Sequence, residues 1–328
     1  GDNSRIVYQD NHLSLFSINP ANGTIKKIST GIRREQVDVS ISPDGKWLAY
    51  TLEQANYNRD LALFSFETGS NTIVTDGAAD VASPAFSEDG KYLYFAASTN
   101  SGPIQVGLNM TSQERPYRAG IYALVLAADG KSPVLAGAGD ENADEDADNT
   151  KDDEKSKKAK GEDKDETADK TPETRIDLQN LSDRIVALPV AESNYGNLAV
   201  DKDGNLYYIQ ATQPGISVEP PGAERGAANT LNRFDFKEKE ATTLLTGLTE
   251  FVLGAKGSHM IIRKSDDSLV VAETGEELEP EKLSLSGLKI QVNPLEEWTQ
   301  IFNEAWRMEK EYFYADTMHG LDWQAVYD

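Results

Sequence analysis

The 328-residue chain contains no cysteine, which removes disulfide frameworks, thiolate zinc sites and cysteine nucleophiles together. That absence leaves the compartment open, because disulfide-free proteins occur on both sides of a membrane. Histidine is nearly as scarce, at three residues. Long apolar runs are missing too. The most apolar stretch, residues 119–128, is far shorter than the roughly 20 residues that span a bilayer. Basic residues are outnumbered, 32 Lys and Arg against 55 Asp and Glu, for a net charge of −23. Such a chain is a poor non-specific ligand for nucleic acid or anionic lipid. What remains is a hydrophobic fraction of 38%, enough for a core. At about 150 residues per domain the length admits two domains, or one large all-β domain. The chain opens Gly-Asp-Asn with neither Met nor a signal peptide, so we expect its true start to be missing.

Residues 139–172 differ from everything around them. They hold 14 Asp and Glu and 7 Lys, with no aromatic residue and no Ile, Leu, Val or Met. Nothing there can be buried to offset the entropy of ordering, so the stretch reads as a disordered acidic insertion. It carries seven of the net negative charges, and the rest of the chain carries 16. Asp144, Asp146 and Asp148 have the spacing that opens a calcium loop. That loop needs a glycine after the third ligand and a glutamate at position 12. Asn149 and Lys155 stand there instead. A solvated charge run, without calcium, is the reading adopted.

The strongest signal is internal repetition. Ile41-Ser-Pro-Asp-Gly-Lys-Trp-Leu-Ala-Tyr50 is echoed by Phe86-Ser-Glu-Asp-Gly-Lys-Tyr-Leu-Tyr-Phe95 and by Val200-Asp-Lys-Asp-Gly-Asn-Leu-Tyr-Tyr-Ile209. Residues 253–262 form a degenerate fourth copy. Each Asp-Gly pair is expected to supply the positive-φ positions of a tight hairpin turn. A third strand follows each copy, at 60–66, 120–126, 231–236 and 268–271, and short fourth strands follow at 71–74 and 241–245. Strands at 5–8, 12–16 and 24–28 look like a unit without its first strand. Gly45 and Gly90 are 45 residues apart, and Gly204 and Gly257 are 53 apart. Gly90 to Gly204 is 114, or 80 without the insertion, so a further loop or degraded strands must fill that gap. Four strands per unit at this period predict an all-β fold, a β-propeller of four-stranded blades. Four units plus one partial unit make a partial ring, as in a fragment cut inside a blade. The blades are assigned to residues 1–292, interrupted by 139–172.

Residues 288–292 read as a last, closing strand. Residues 293–328 then read as the start of an α-helical subdomain, truncated at Asp328. Asn293 suits an N-cap, Pro294 the first helical position, and Glu296 and Glu297 the positive helix end. Trp298, Ile301, Phe302, Ala305, Trp306, Glu309, Tyr312 and Phe313 follow helical spacing with only Glu309 polar, a stripe expected to be core. A second helix begins near Asp322 and Trp323, and about six residues cannot hold a helix alone.

Chemistry is hard to find. His12 is placed in a strand, His259 at a blade turn and His319 between the two helices. None has a nucleophile motif beside it, and no nucleophile elbow, zinc-protease helix, P-loop or dinucleotide fingerprint occurs. The sequence therefore assigns no catalytic, cofactor-binding or metal residue, and no cofactor.

The segment from Glu297 to Trp323 resembles the junction between the second propeller and the first catalytic subdomain of tricorn proteases. Residues 176–190 resemble a segment of the same family lying just ahead of a late blade. The resemblance covers the chain apart from the insertion. It implies a serine peptidase that trims peptides, whose second propeller guides or filters substrates. It also implies homo-oligomers and, for the best-known members, the cytoplasm, with export to the periplasm in some bacterial homologues. The family's catalytic histidine follows such a segment and its serine lies much later, so His319 is not that histidine and no triad is carried over. The alternative is a non-enzymatic scaffold similar to TolB, which binds protein partners. A dipeptidyl-peptidase type of propeller leads instead into an α/β-hydrolase domain. The tail after Asn293 favours the tricorn resemblance over both.

Overall fold

The computed structural model describes residues 5–33, 36–103, 116–134, 172–212 and 228–327. The expected insertion at 139–172, with its aspartate triplet, lies outside the described residues except for Pro172. Among the described residues the strands form five antiparallel sheets, each with its strands in sequence order. The first has three, β1 (Ile6–Gln9), β2 (Ser14–Ile18) and β3 (Ile25–Thr30). The second joins β4 (Val39–Ile41), β5 (Trp47–Glu53), β6 (Arg59–Ser65) and β7 (Asn71–Ile73). The third contains β8 (Asp80–Phe86), β9 (Tyr92–Ser98), β10 (Gly120–Val125) and β11 (Ile185–Ala187). The fourth contains β12 (Tyr195–Val200), β13 (Leu206–Gln210), β14 (Thr230–Asp235) and β15 (Glu240–Thr246). The fifth contains β16 (Leu248–Gly254), β17 (His259–Lys264), β18 (Leu269–Glu273) and β19 (Glu281–Lys282).

Among the described residues these are propeller blades, four with four strands and one with three, in an arc with no ladder from the fifth sheet to the first. The first strands of successive blades, β4, β8, β12 and β16, touch one another and form the inner wall. Among the described residues, apolar side chains between blades form four clusters, each drawn from two neighbours. Leu63, Val74, Phe95 and Leu124 join the second blade to the third, and Ala96, Ile121, Leu206 and Phe234 the third to the fourth. A blade clamped on both sides buries both faces of its middle strands, so Leu93–Ala97 is a continuous apolar run and not an alternating one.

The Asp-Gly turns differ from the two-residue type expected. Ser42 and Trp47 pair across a four-residue loop, with Ser42 N donating to Trp47 O at 2.9 Å. Only the glycine is left-handed there, φ 70° at Gly45 and 69° at Gly90. The aspartate acts through its side chain. Ser42 Oγ and Lys46 N donate to Asp44 Oδ1 at 2.6 and 3.1 Å, and Trp47 N donates to Ser42 Oγ at 2.9 Å. Ser87, Asp89, Lys91 and Tyr92 repeat this set. In the fourth blade Asp201 Oδ1 accepts from Asp203 N and Asn205 N. The degenerate copy is the one with two left-handed residues in succession, Lys256 and Gly257.

The long Gly90–Gly204 interval is one blade with two interruptions. Residues 104–115 fall between β9 and β10, and 135–171 between β10 and β11. After the second, the chain returns as a strap across two turns. Thr174 N donates to Asp44 Oδ2 at 2.9 Å, and Lys46 Nζ to Glu173 Oε1 at 3.0 Å. Arg184 then donates to the carbonyls of Val125, Leu126, Gln179 and Asp177. This satisfies strand-end carbonyls and seats β11 as the outer strand of the third blade.

Three local expectations are corrected. His12 is not in a strand. Leu13 is left-handed, φ 64°, and Asp10 Oδ1 accepts from His12 N and Ser14 N, so the strand starts at Ser14. Residues 288–292 form no strand, since no neighbouring edge pairs with them, and Ile290 is 79% exposed. The helix α1 (Pro294–Tyr312) forms as expected, with Asn293 Oδ1 accepting from Leu295 N at 3.3 Å. Its stripe, however, is not core, and Trp298 is 63% exposed. Its partner is the short α2 (Trp323–Tyr327), where Trp323 stacks on Trp306 at 5.8 Å and Tyr327 meets Trp306 and Phe302. Those rings, and Tyr327 Oη donating to Asn303 Oδ1 at 2.6 Å, hold a helix too short to persist alone.

The turns can be tested by two substitutions. An added Cβ at Gly90 would stand 2.8 Å from Thr174 Oγ1 and 3.3 Å from Glu173 O, whereas at Gly204 it would meet nothing within 4 Å. Both glycines are left-handed. Gly204→Ala is expected to cost about 1 kcal/mol and Gly90→Ala about 2–3 kcal/mol in urea unfolding, and equal costs would contradict the strap. For Asp89, burial pushes the pKa up, but the bonds from Ser87 and Lys91 outweigh it and leave it below the ordinary carboxylate value. The folded state then binds fewer protons than the unfolded one. Its contribution is complete above the unfolded pKa, about 4, and is lost as pH falls through the folded value. The stability gap between the parent chain and Asp89→Asn should therefore close below about pH 4. A gap that widens on acidification would contradict this.

Candidate functional site

The inner wall is built by one recurring position. Asp38, Ser83 and Asn197 each stand seven residues before the turn glycine of their blade. Ser83 and Asn197 are left-handed, both at φ 52°, and the β8–β9 and β12–β13 ladders shift register beside them. The bulge frees one N–H per blade from its own ladder and turns it to the preceding blade. Ser83 N donates to Asp38 Oδ2 at 2.8 Å, and Asn197 N to Ser83 Oγ at 3.0 Å. Asn197 then spans forward. Phe251 N donates to its Oδ1 at 3.2 Å, and its Nδ2 donates to Phe251 O at 3.1 Å. Ser40 Oγ adds a parallel link by accepting from Phe86 N at 3.1 Å. A chain of side chain-to-backbone bonds thus crosses four blades along the inner wall. Its polar groups are spent on one another, which leaves Val39, Glu250, Val252 and Gly254 as the exposed residues of the inner strands.

Beside this chain of bonds lies a buried ion pair. Arg59, first residue of β6, donates from Nε and Nη2 to the two oxygens of Asp80 at 2.9 Å each, and its own N–H adds a third bond at 3.1 Å. Asp80 is 1% exposed and also accepts from Tyr117 Oη at 3.3 Å. Asp38 lies 3.9 Å from Arg59 Nη1. Burial alone would lower the Arg59 pKa, but its bonds to Asp80 and the nearby charges raise it. Burial, and then the Asp80 charge, raise the Tyr117 pKa, so Tyr117 remains a donor. With its strongest donors on Asp80, Arg59 fastens the second blade to the third and does not serve as an anion site.

The three histidines lie apart in the chain's architecture. His12 is in the β1–β2 turn. His319 sits in the left-handed turn Met318–Gly320, with its ring nitrogen on Tyr314 Oη and its ring edge-on to Phe313. His259, first in β17, brings a contact that motif reasoning missed. Its Nδ1 is 2.9 Å from Ser258 Oγ, and its Nε2 is 3.7 Å from Glu273 Oε1. This has the order of a Ser-His-acid triad but not its setting, because the carboxylate is 85% exposed and cannot fix the imidazole. No signal marks the pair in sequence, since adjacent residues of a strand normally point to opposite faces. Among the described residues no group of three or more His, Asp or Glu side chains could hold a metal ion. No helix among them is long and apolar enough to cross a membrane.

Four-stranded blades stapled along their inner strands, followed by a capped aromatic helix pair, define a β-propeller joined to a helical segment. Two family models match in succession, the tricorn protease second beta propeller domain over residues 1–275 and the tricorn protease C1 domain over residues 294–328. The chain belongs to the tricorn protease family. Tricorn protease homolog 1 of Streptomyces coelicolor is 25% identical over 338 residues, covering 100% of this chain and 30% of its own length. The tricorn protease of Thermoplasma volcanium is 24% identical, covering 98% of this chain and 28% of its own length. A crystal structure of the tricorn protease superposes on 99% of this chain and 29% of its own, with TM-score 0.69 and 16% identity, a likeness of fold. The chain thus spans under a third of the length of these relatives. The family models support the tricorn reading over a TolB-like scaffold.

Proposed function

We propose that this chain is the propeller and first helical portion of a serine-type peptidase that degrades peptides, with residues 1–292 guiding or filtering the substrates. The succession of the two family models over 1–275 and 294–328 carries this reading. The inner wall supports it, because its polar groups are engaged between blades and its exposed residues are few. The nucleophile, its base and the oxyanion donors are assigned to segments outside these 328 residues. Residues 293–328 begin the subdomain that connects the propeller to that catalytic part. The assembly is a homo-oligomer, and its compartment is the cytoplasm, with the periplasm as the alternative.

The test compares the 328-residue chain with the product of the whole reading frame. A serine-directed fluorophosphonate probe is expected to leave the chain unlabelled, and the chain is expected to release no product from fluorogenic peptides. The whole-frame product is expected to take up the probe and to cleave them. Stoichiometric labelling of the chain itself, or a whole-frame product inert to both assays, would overturn the assignment.

A further inference from the structure

Between the second and third blades the packing is incomplete. The outer strand β7 has only three residues against seven in β6, so the second blade ends early. Two alanines, Ala79 and Ala97, face the space beyond it. The result is an open cleft of about 320 Å³, at the lower end of the range for ligand pockets. Its floor is apolar and buried, formed by Val81, Phe95 and Ala97. Tyr122 stacks on Phe95 at 5.7 Å and stiffens one wall. The mouth is polar, with the hydroxyls of Thr99 and Ser182 and the carboxylate of Asp76. Asp76 is the sole ionisable carboxylate among the lining residues, and no basic residue lines the cleft. Its Oδ1 accepts from Ala78 N at 3.1 Å, which fixes the carboxylate at the rim.

We propose that this cleft docks one apolar side chain of a cationic peptide, leucine to phenylalanine in size, with a lysine or arginine beside it. The apolar group enters between the blades and displaces water from a floor that offers it no hydrogen bonds. The adjacent cation meets Asp76, and the field of a chain of net charge −23 favours it further. The Thr99 and Ser182 hydroxyls stand where the peptide backbone crosses the rim. This site lies between blades and not on the inner wall, so it stands or falls apart from the filtering role.

The test titrates the 328-residue chain by NMR with N-acetyl-Phe-Lys-amide, N-acetyl-Phe-Glu-amide and N-acetyl-Gly-Lys-amide. The first is expected to bind about threefold more tightly than the second and about tenfold or more above the third. Asp76→Asn should reduce the preference for lysine over glutamate to what the field of the remaining charge supplies and keep that for phenylalanine over glycine. Ala79→Leu should fill the cleft and reduce binding of the first peptide about tenfold. Thr99→Trp, at an exposed rim position, tests the same occlusion should Ala79→Leu fail to fold. Equal affinities for the three peptides, no binding at about 10 mM, or binding indifferent to Asp76→Asn and to both occluding variants would each overturn the proposal. In that last outcome the peptide binds elsewhere, on the inner wall for example.

Discussion

The left-handed backbone of Asn197 turns its own N–H back to Ser83, while its amide reaches forward to both backbone groups of Phe251. A single residue thereby fixes the third, fourth and fifth blades in one register. Apolar clusters hold blades together without fixing their height, because dispersion and burial are nearly indifferent to small slides. Directional bonds to buried backbone groups are not, since each one broken leaves a desolvated donor or acceptor. Bulged strands usually end pairing or redirect a side chain. Here the bulge converts an internal ladder bond into a bond between blades. The polar side chains at these positions are engaged with neighbouring blades as its by-product.

With the inner strands fixed, the outer parts are free to vary. The third blade accepts segments at 104–115 and 135–171 without losing a strand. Loop closure grows only logarithmically with length, so a long excursion is tolerated once its ends are tied. They are tied by Arg184, which gathers several carbonyls, and by Thr174, which reaches the turn of the second blade. The same latitude lets the second blade end after a three-residue strand and leaves the cleft beside Asp76.

Much of the fold is legible in the amino-acid sequence. The Asp-Gly repeat locates the second strands and their turns, because glycine at a left-handed position and a capping Ser or Asp recur for local reasons. The Asn293 cap is readable for the same cause. What escapes depends on neighbours in space. Residues 288–292 alternate like a strand, yet alternation makes no strand without an edge to pair with. The aromatic stripe of α1 has the spacing of a core, but spacing does not say what covers it. Asp38, Ser83 and Asn197 differ in identity and share only their distance from the glycine. That signal is visible once the repeats are aligned, but it carries no motif. The Ser258–His259 contact has no signal at all.

The claim that the inner-strand bonds hold the blades in register is tested most directly by hydrogen exchange on Asn197→Ala. This substitution removes both bonds to Phe251 and places alanine at a left-handed position. The account predicts a loss of about 2 kcal/mol in stability, with faster exchange concentrated in Leu248–Gly254 and His259–Lys264. The second blade, from Trp47 to Ser65, should keep its protection until global unfolding. Unchanged exchange in the fifth blade, or an equal rise in every blade, would contradict it.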